Sequence, residues 1–179
     1  MQNTLKTLAA TLIAGTLMAG STLAAGIDGA PAPFDKRQVN IAVVSYLGGG
    51  DWLQAFEAGV KRQADALGIK ATISQARNDN NTERTLIEQA INLGVDGIII
   101  NNGRPEVLKD VAQKALDAGI KVVAYDVDLD NPAIPQIEQS DKDMASLVLD
   151  QAIKDKGEGF VGGAVYVAGF APLDRRYAV

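Results

Sequence analysis

The chain has 179 residues, 47% hydrophobic and 22% charged, the make-up of an ordinary globular protein with room for one full domain and little for two. It contains no Cys and no His, which excludes thiol nucleophiles, imidazole bases, disulfides and the usual zinc sites within these residues. A net charge of -5, a pI near 4.7 and the lack of any Lys/Arg cluster exclude the electrostatic footprint of a nucleic-acid or anionic-lipid binder.

Residues 1–25 read as a secretory signal peptide. Lys6 is the positive charge of a short start, Leu8 to Ala19 is apolar or small with Thr as its only polar side chain, and cleavage fits after Ala24 or Ala25. The apolar stretch is too short to span a bilayer. Residues 26–38, interrupted by Pro and Gly, read as a flexible leader.

A regular rhythm follows. Val- and Ile-rich runs at Val39 to Tyr46, Lys70 to Ala76, Asp96 to Asn102 and Lys121 to Val127 have strand length. Three helical patterns separate them. The first carries Leu53, Phe56, Val60, Ala64 and Leu67 on one stripe, with Asp51 placed to cap it. The second starts at Asn80 with Glu83 three residues on, and carries Leu86, Ala90 and Leu93. The third has Pro105 in its first turn, then Leu108, Val111, Ala112 and Ala115. Each ends alike, at Ala64–Gly68–Ile69, Ala90–Gly94–Val95 and Ala115–Gly119–Ile120, where Gly supplies a left-handed residue and the next residue folds back on the Ala. Alternating strands and helices with nearly continuous apolar strands predict an α/β fold: a parallel sheet with helices on both faces. Past Asn131 the rhythm breaks. A short segment at Gln136 to Gln139, a helix capped by Ser140 or Asp141 and ending near Gly157, a strand at Ala164 to Ala168 and the start of a further helix are predicted.

In an open parallel sheet, ligands sit beyond the carboxyl ends of the strands. Those ends carry Ser45 through Trp52, Arg77 to Asn80, Asn101 to Arg104, and Asp126 to Asp128. Such a ring suits polyols: Asn donates and accepts, an ionised Asp accepts twice, Arg donates in a planar fork, and an indole offers a flat face to sugar C–H groups. Each has a plainer reading, with Trp52 a core residue at a helix start, Asn78 to Asn81 a turn and cap, and Asp126 a solvated strand end. The nucleotide patterns fit poorly, because Gly48-x-Gly50 is followed by Leu53 where a dinucleotide fingerprint needs Gly or Ala, and no P-loop Lys is present. A second reading takes Asp126 and Asp128 as nucleophile and acid of a haloacid-dehalogenase-like, magnesium-dependent phosphotransferase, although Asp130 departs from that pattern.

From about Val39 to Val179 the sequence resembles the ribose/galactose class of type I periplasmic sugar-binding proteins. The resemblance rests on Val43 through Gly59, Leu93 to Asn101, Gly119 to Asp126, and Leu173-Asp174-Arg175-Arg176-Tyr177. It implies a non-enzymatic receptor, needing no cofactor or metal, that captures a sugar or polyol for an ABC-type importer. Matching position by position implies ligand contacts at Ser45, Trp52, Asn101 and Asp126, and at Arg176 in preference to Arg175. Val127 stands where the family often has Arg, and Gly48 to Gly50 where it often has polar or aromatic residues, which leaves the ligand's identity open. The implied organisation is an N-terminal lobe at 39–130, an interlobe crossing at 131–140 and the start of a C-terminal lobe at 141–179. The family closes two lobes on the ligand by hinge motion. The chain is therefore expected to be a fragment, with a well-formed first lobe and a second that exposes apolar surface. The receptor is expected to be a periplasmic monomer with a membrane permease and a chemoreceptor as partners, and no nucleic acid.

Overall fold

The computed structural model describes residues 26–30, 32, 34–157 and 159–178; the signal-peptide reading of 1–25 lies outside the described residues. The chain runs β1 (Asn40–Ser45), α1 (Asp51–Leu67), β2 (Lys70–Gln75), α2 (Asn80–Asn92), β3 (Gly97–Asn101), α3 (Pro105–Asp117), β4 (Lys121–Tyr125), β5 (Gln136–Ile137), α4 (Asp141–Lys156) and α5 (Ala171–Tyr177). The five strands pair in parallel in the order β2-β1-β3-β4-β5.

The period-2 alternation of side chains assigns the two faces. Ala42, Val44, Ile98, Ile100, Val122 and Ala124 form one core with Ile87 of α2 and Leu108, Val111, Ala112 and Ala115 of α3. On the opposite face Ile41, Val43 and Ile99 lie under α1 and line a cavity of about 190 Å³ with its Val60, Ala64 and Leu67. The sheet is covered on both faces, as predicted. Leu108 is wholly buried, and Leu108→Ala is expected to cost about 3 kcal/mol. A urea unfolding midpoint is the measurement, and a loss below about 1 kcal/mol would show that α3 does not close this core.

The three predicted helix stops are built from backbone alone. Gly68, Gly94 and Gly119 have φ of 66, 64 and 80°, and the N–H of Ile69, Val95 and Ile120 donates to the carbonyl of Ala64, Ala90 and Ala115 at 2.9, 3.5 and 3.0 Å. Arg37, at the end of the leader, forms a two-pronged ion pair with Asp96, whose Oδ2 also accepts from the Asn40 N–H at 2.8 Å.

Three local expectations are corrected. Asp51 is the first residue of α1 and not its cap; Gly50, at φ 91°, turns the chain into the helix with no side-chain cap, and Asp51 complements the helix dipole from the first turn. The cap of α2 is Asp79, whose Oδ1 accepts from Thr82 N–H at 2.6 Å, while Asn80 Oδ1 accepts instead from Arg104 N–H at 3.1 Å. The buried stripe of α2 is Glu83–Ile87–Ala90, and Leu93 is 80% exposed, because α2 turns that side toward α3 and the sheet.

The strand expected at Ala164 to Ala168 does not form: the segment is irregular, Val165 is fully exposed, and among the described residues no neighbouring strand lies beside it to satisfy its backbone. Ser140 caps α4 as expected, accepting from Asp143 N–H at 3.2 Å. Asp141 is the only buried residue of α4 among those described, whereas Leu147 and Val148 are about 70% exposed, so this helix presents apolar side chains to solvent.

Candidate functional site

The last ladder positions of four strands fall in one row, Gln75–Ser45–Asn101–Tyr125. Directly beyond it the backbone leaves the sheet through left-handed turns. Arg77, Asn78, Asn102 and Asp126 have φ of 54, 66, 67 and 54°. Asn and Asp tolerate this region better than most residues because their short polar side chains bond locally. Such a conformation at three successive rim loops is strain concentrated where polar groups gather.

The row and the rim divide the predicted contacts. Trp52, Asp126 and Arg176 line one cavity of about 190 Å³ together with Leu47, Asn102 and Gln139. Ser45 and Asn101 are not part of that lining. Both are fully buried one step below, where Asn101 Nδ2 donates to Ser45 Oγ at 3.1 Å. The asparagine of the cavity wall is Asn102. A residue in the ladder is fixed by its partner's register, and only the next residue, released into a left-handed turn, reaches the rim.

Trp52 is 40% exposed and held by aromatic neighbours: its ring lies 5.5 Å from Phe56, within 9° of parallel, and 6.0 Å from Tyr125. Preorganised in this way, the indole can offer a flat face at little entropic cost. Asp126 is 3% exposed. Its Oδ2 accepts from Gln139 Nε2 at 3.3 Å, and its Oδ1 has no hydrogen-bond partner, lying 3.6 Å from Arg175 Nη2. Burial raises the Asp126 carboxyl above the usual range and the nearby Asp141 charge adds to this, while Arg175, Gln139 and Arg176 pull it down.

Arg175 and Arg176 converge on one carboxylate. Arg175 Nε donates to Asp141 Oδ2 and Arg176 Nε to Asp141 Oδ1, both at 2.6 Å. Asp141 is 5% exposed in the first turn of α4, so the fork fixes α5 against α4 beside Asp126. The resemblance pointed to Arg176, and sequence reasoning missed Asp141, the residue that aims it.

Sequence reasoning also missed Glu83. It is fully buried, neither carboxylate oxygen has a partner, and burial pushes its carboxyl up to about 9. It packs against Gly103 of the β3–α3 loop, at φ 93°, where a Cβ would collide with the Glu83 carboxyl and come within 2.6 Å of Leu108. Its spacing of four and seven residues from Ile87 and Ala90 was the available signal.

The phosphotransferase reading finds no support in the geometry. Asp128 is exposed, and its Oδ1 accepts from Asp130 N–H at 2.8 Å, closing a local turn. Asp130 in turn pairs with Lys109 at 3.3 Å. The two carboxylates that mechanism needs serve different neighbours.

Residues 41–175 match the Periplasmic binding protein domain family. The D-xylose-binding periplasmic protein of Haemophilus influenzae is 30% identical over 64% of this chain and 35% of its own length. The structure of a 5-methylthioribose transporter solute-binding protein from Thermotoga lettingae superposes with a TM-score of 0.71 at 38% identity, covering 78% of this chain and 44% of that one. A sugar ABC transporter structure from Yersinia enterocolitica gives 0.72 at 29% identity, covering 79% and 43%. The chain spans less than half the length of these relatives. Matched along three-quarters of its length, with the parallel sheet and the polar rim in place, the chain belongs to the periplasmic binding protein family.

Proposed function

We propose that this chain is the first lobe and the beginning of the second lobe of a periplasmic receptor that captures a sugar or related polyol and delivers it to an ABC-type importer. The observation that carries the reading is the cavity wall itself. A fixed indole, a buried carboxylate and a guanidinium meet there, and the Oδ1 atoms of Asn102 and Asp126 are buried acceptors without hydrogen bonds, that of Asp126 facing only the Arg175 charge at 3.6 Å. Buried acceptors are normally satisfied. Sugar hydroxyls donating to them would do so, with the ring against Trp52. Ser45 and Asn101 support the wall from below, and Arg176 reaches the ligand from the second region, held there by Asp141. No step of chemistry is assigned to these groups. The protein acts in the periplasm as a monomer after export on residues 1–25, with a membrane permease as its partner and a chemoreceptor as a further one.

Trp52 is the only tryptophan of the chain, so its emission reports on the cavity. Titration with D-xylose, D-ribose and D-galactose is expected to give a saturable change with at least one sugar. In calorimetry Trp52→Ala is expected to weaken that sugar about tenfold. Silence toward every sugar, together with phosphatase turnover abolished by Asp126→Asn, would overturn the reading in favour of the phosphotransferase.

A further inference from the structure

A second cavity of about 370 Å³ adjoins the first, and Leu47 and Phe170 line both. Its chemistry differs. The first wall carries Asn102, Asp126, Gln139 and Arg176, whereas the second is closed by Tyr46, Leu173, Phe170 and Leu47, with Asn78 and Arg104 as its polar fringe. Tyr46 and Phe170 stack at 6.4 Å and 30°, forming an aromatic wall. Gly103 lines the same space, and the Glu83 carboxyl packed behind it is uncharged at neutral pH, so no fixed anion underlies it.

Resting on the sugar-receptor reading, the geometry points to a bipartite ligand: a sugar whose hydroxyls occupy the Asp126 cavity and which bears an apolar alkyl or alkylthio substituent seated between Leu47, Phe170 and Leu173. Hydroxyls placed in the second cavity would lose water without gaining partners along most of its wall. An apolar group there gains burial instead. The two cavities share their partition, so one small molecule can span them.

The test is calorimetry on the full-length receptor with D-ribose and 5-methylthioribose, which differ by replacement of one hydroxyl with an apolar methylthio group. The unsubstituted protein is expected to bind 5-methylthioribose at least tenfold more tightly. Val167→Phe, at a position lining the second cavity and not the first, fills that space, and Leu173→Asn makes it polar; urea unfolding midpoints check that each variant folds as the unsubstituted receptor does. Both are expected to bring the ratio of the two affinities close to one. Equal affinities in the unsubstituted protein, or a ratio unmoved by Val167→Phe, would overturn the bipartite ligand while leaving the sugar receptor standing. Binding of neither sugar, nor of D-xylose or D-galactose, would overturn both.

Discussion

Glu83→Gln is expected to stabilise the protein by about 2–4 kcal/mol at pH 8 and to change little at pH 4.5. Burial lifts the folded-state value from the ordinary 4.5 to about 9. Across that window the folded chain keeps a proton that the unfolded chain has released, so stability declines as pH rises, by at most about 1.4 kcal/mol per unit. Below the lower limit both states are protonated and the penalty vanishes. The amide has nearly the same shape and never ionises, so the variant removes the slope. Urea unfolding midpoints at pH 4.5, 6, 7 and 8 are the measurement. Parallel curves for the two proteins would show that the buried acid ionises normally. The size of the effect matters because whole domains are stable by only about 5–15 kcal/mol.

Asp126→Ala is expected to weaken sugar binding at least 100-fold, since it deletes a buried, charge-assisted acceptor at the centre of the wall. Asp126→Asn keeps the shape and separates charge from packing. The Asp126 carboxyl sits above the ordinary aspartate value, chiefly through burial. A hydroxyl held by the ionised form is therefore bound fully above that raised value, and affinity falls as pH drops through it. Calorimetric affinities from pH 7.5 down to 4.5 should show this decline in the unsubstituted protein and a flat profile in Asp126→Asn. Matching profiles would remove Asp126 from the site.

Much of the frame was legible because it is periodic. Strand-length apolar runs and the repeated Ala-to-Gly junction located four strands and three helices to within about two residues, since local stereochemistry alone sets those features. What escaped depends on partners distant in sequence. Asn101 and Asn102 are indistinguishable as letters; the ladder opposite Tyr125 holds Asn101 beneath the wall and leaves Asn102 to line the cavity. Glu83 reads as an ordinary first-turn acid until Gly103 and α3 close over it. The segment at Ala164 to Ala168 has strand composition, yet composition cannot supply a neighbouring edge. At the site, residue chemistry singled out Trp52, Asn101 and Asp126 and the family resemblance added Arg176; Trp52, Asp126 and Arg176 share a cavity that Asn101 does not line, and nothing local announced that Asp141 would orient two arginines at once.

The three glycine stops all lie where helices hand over to strands, at the edge of the sheet opposite the rim. That edge is closed chiefly by main-chain hydrogen bonds, with the Arg37–Asp96 pair beside them, while the other edge is composed of side chains. Durability and ligand choice are thus encoded at separate ends of the same scaffold. Randomising Leu47, Trp52, Arg104 and Asp128, none of which is buried, while keeping Gly103, Val127 and Leu129, should yield libraries in which most members still fold, making this lobe a practical chassis for sensors of new small molecules.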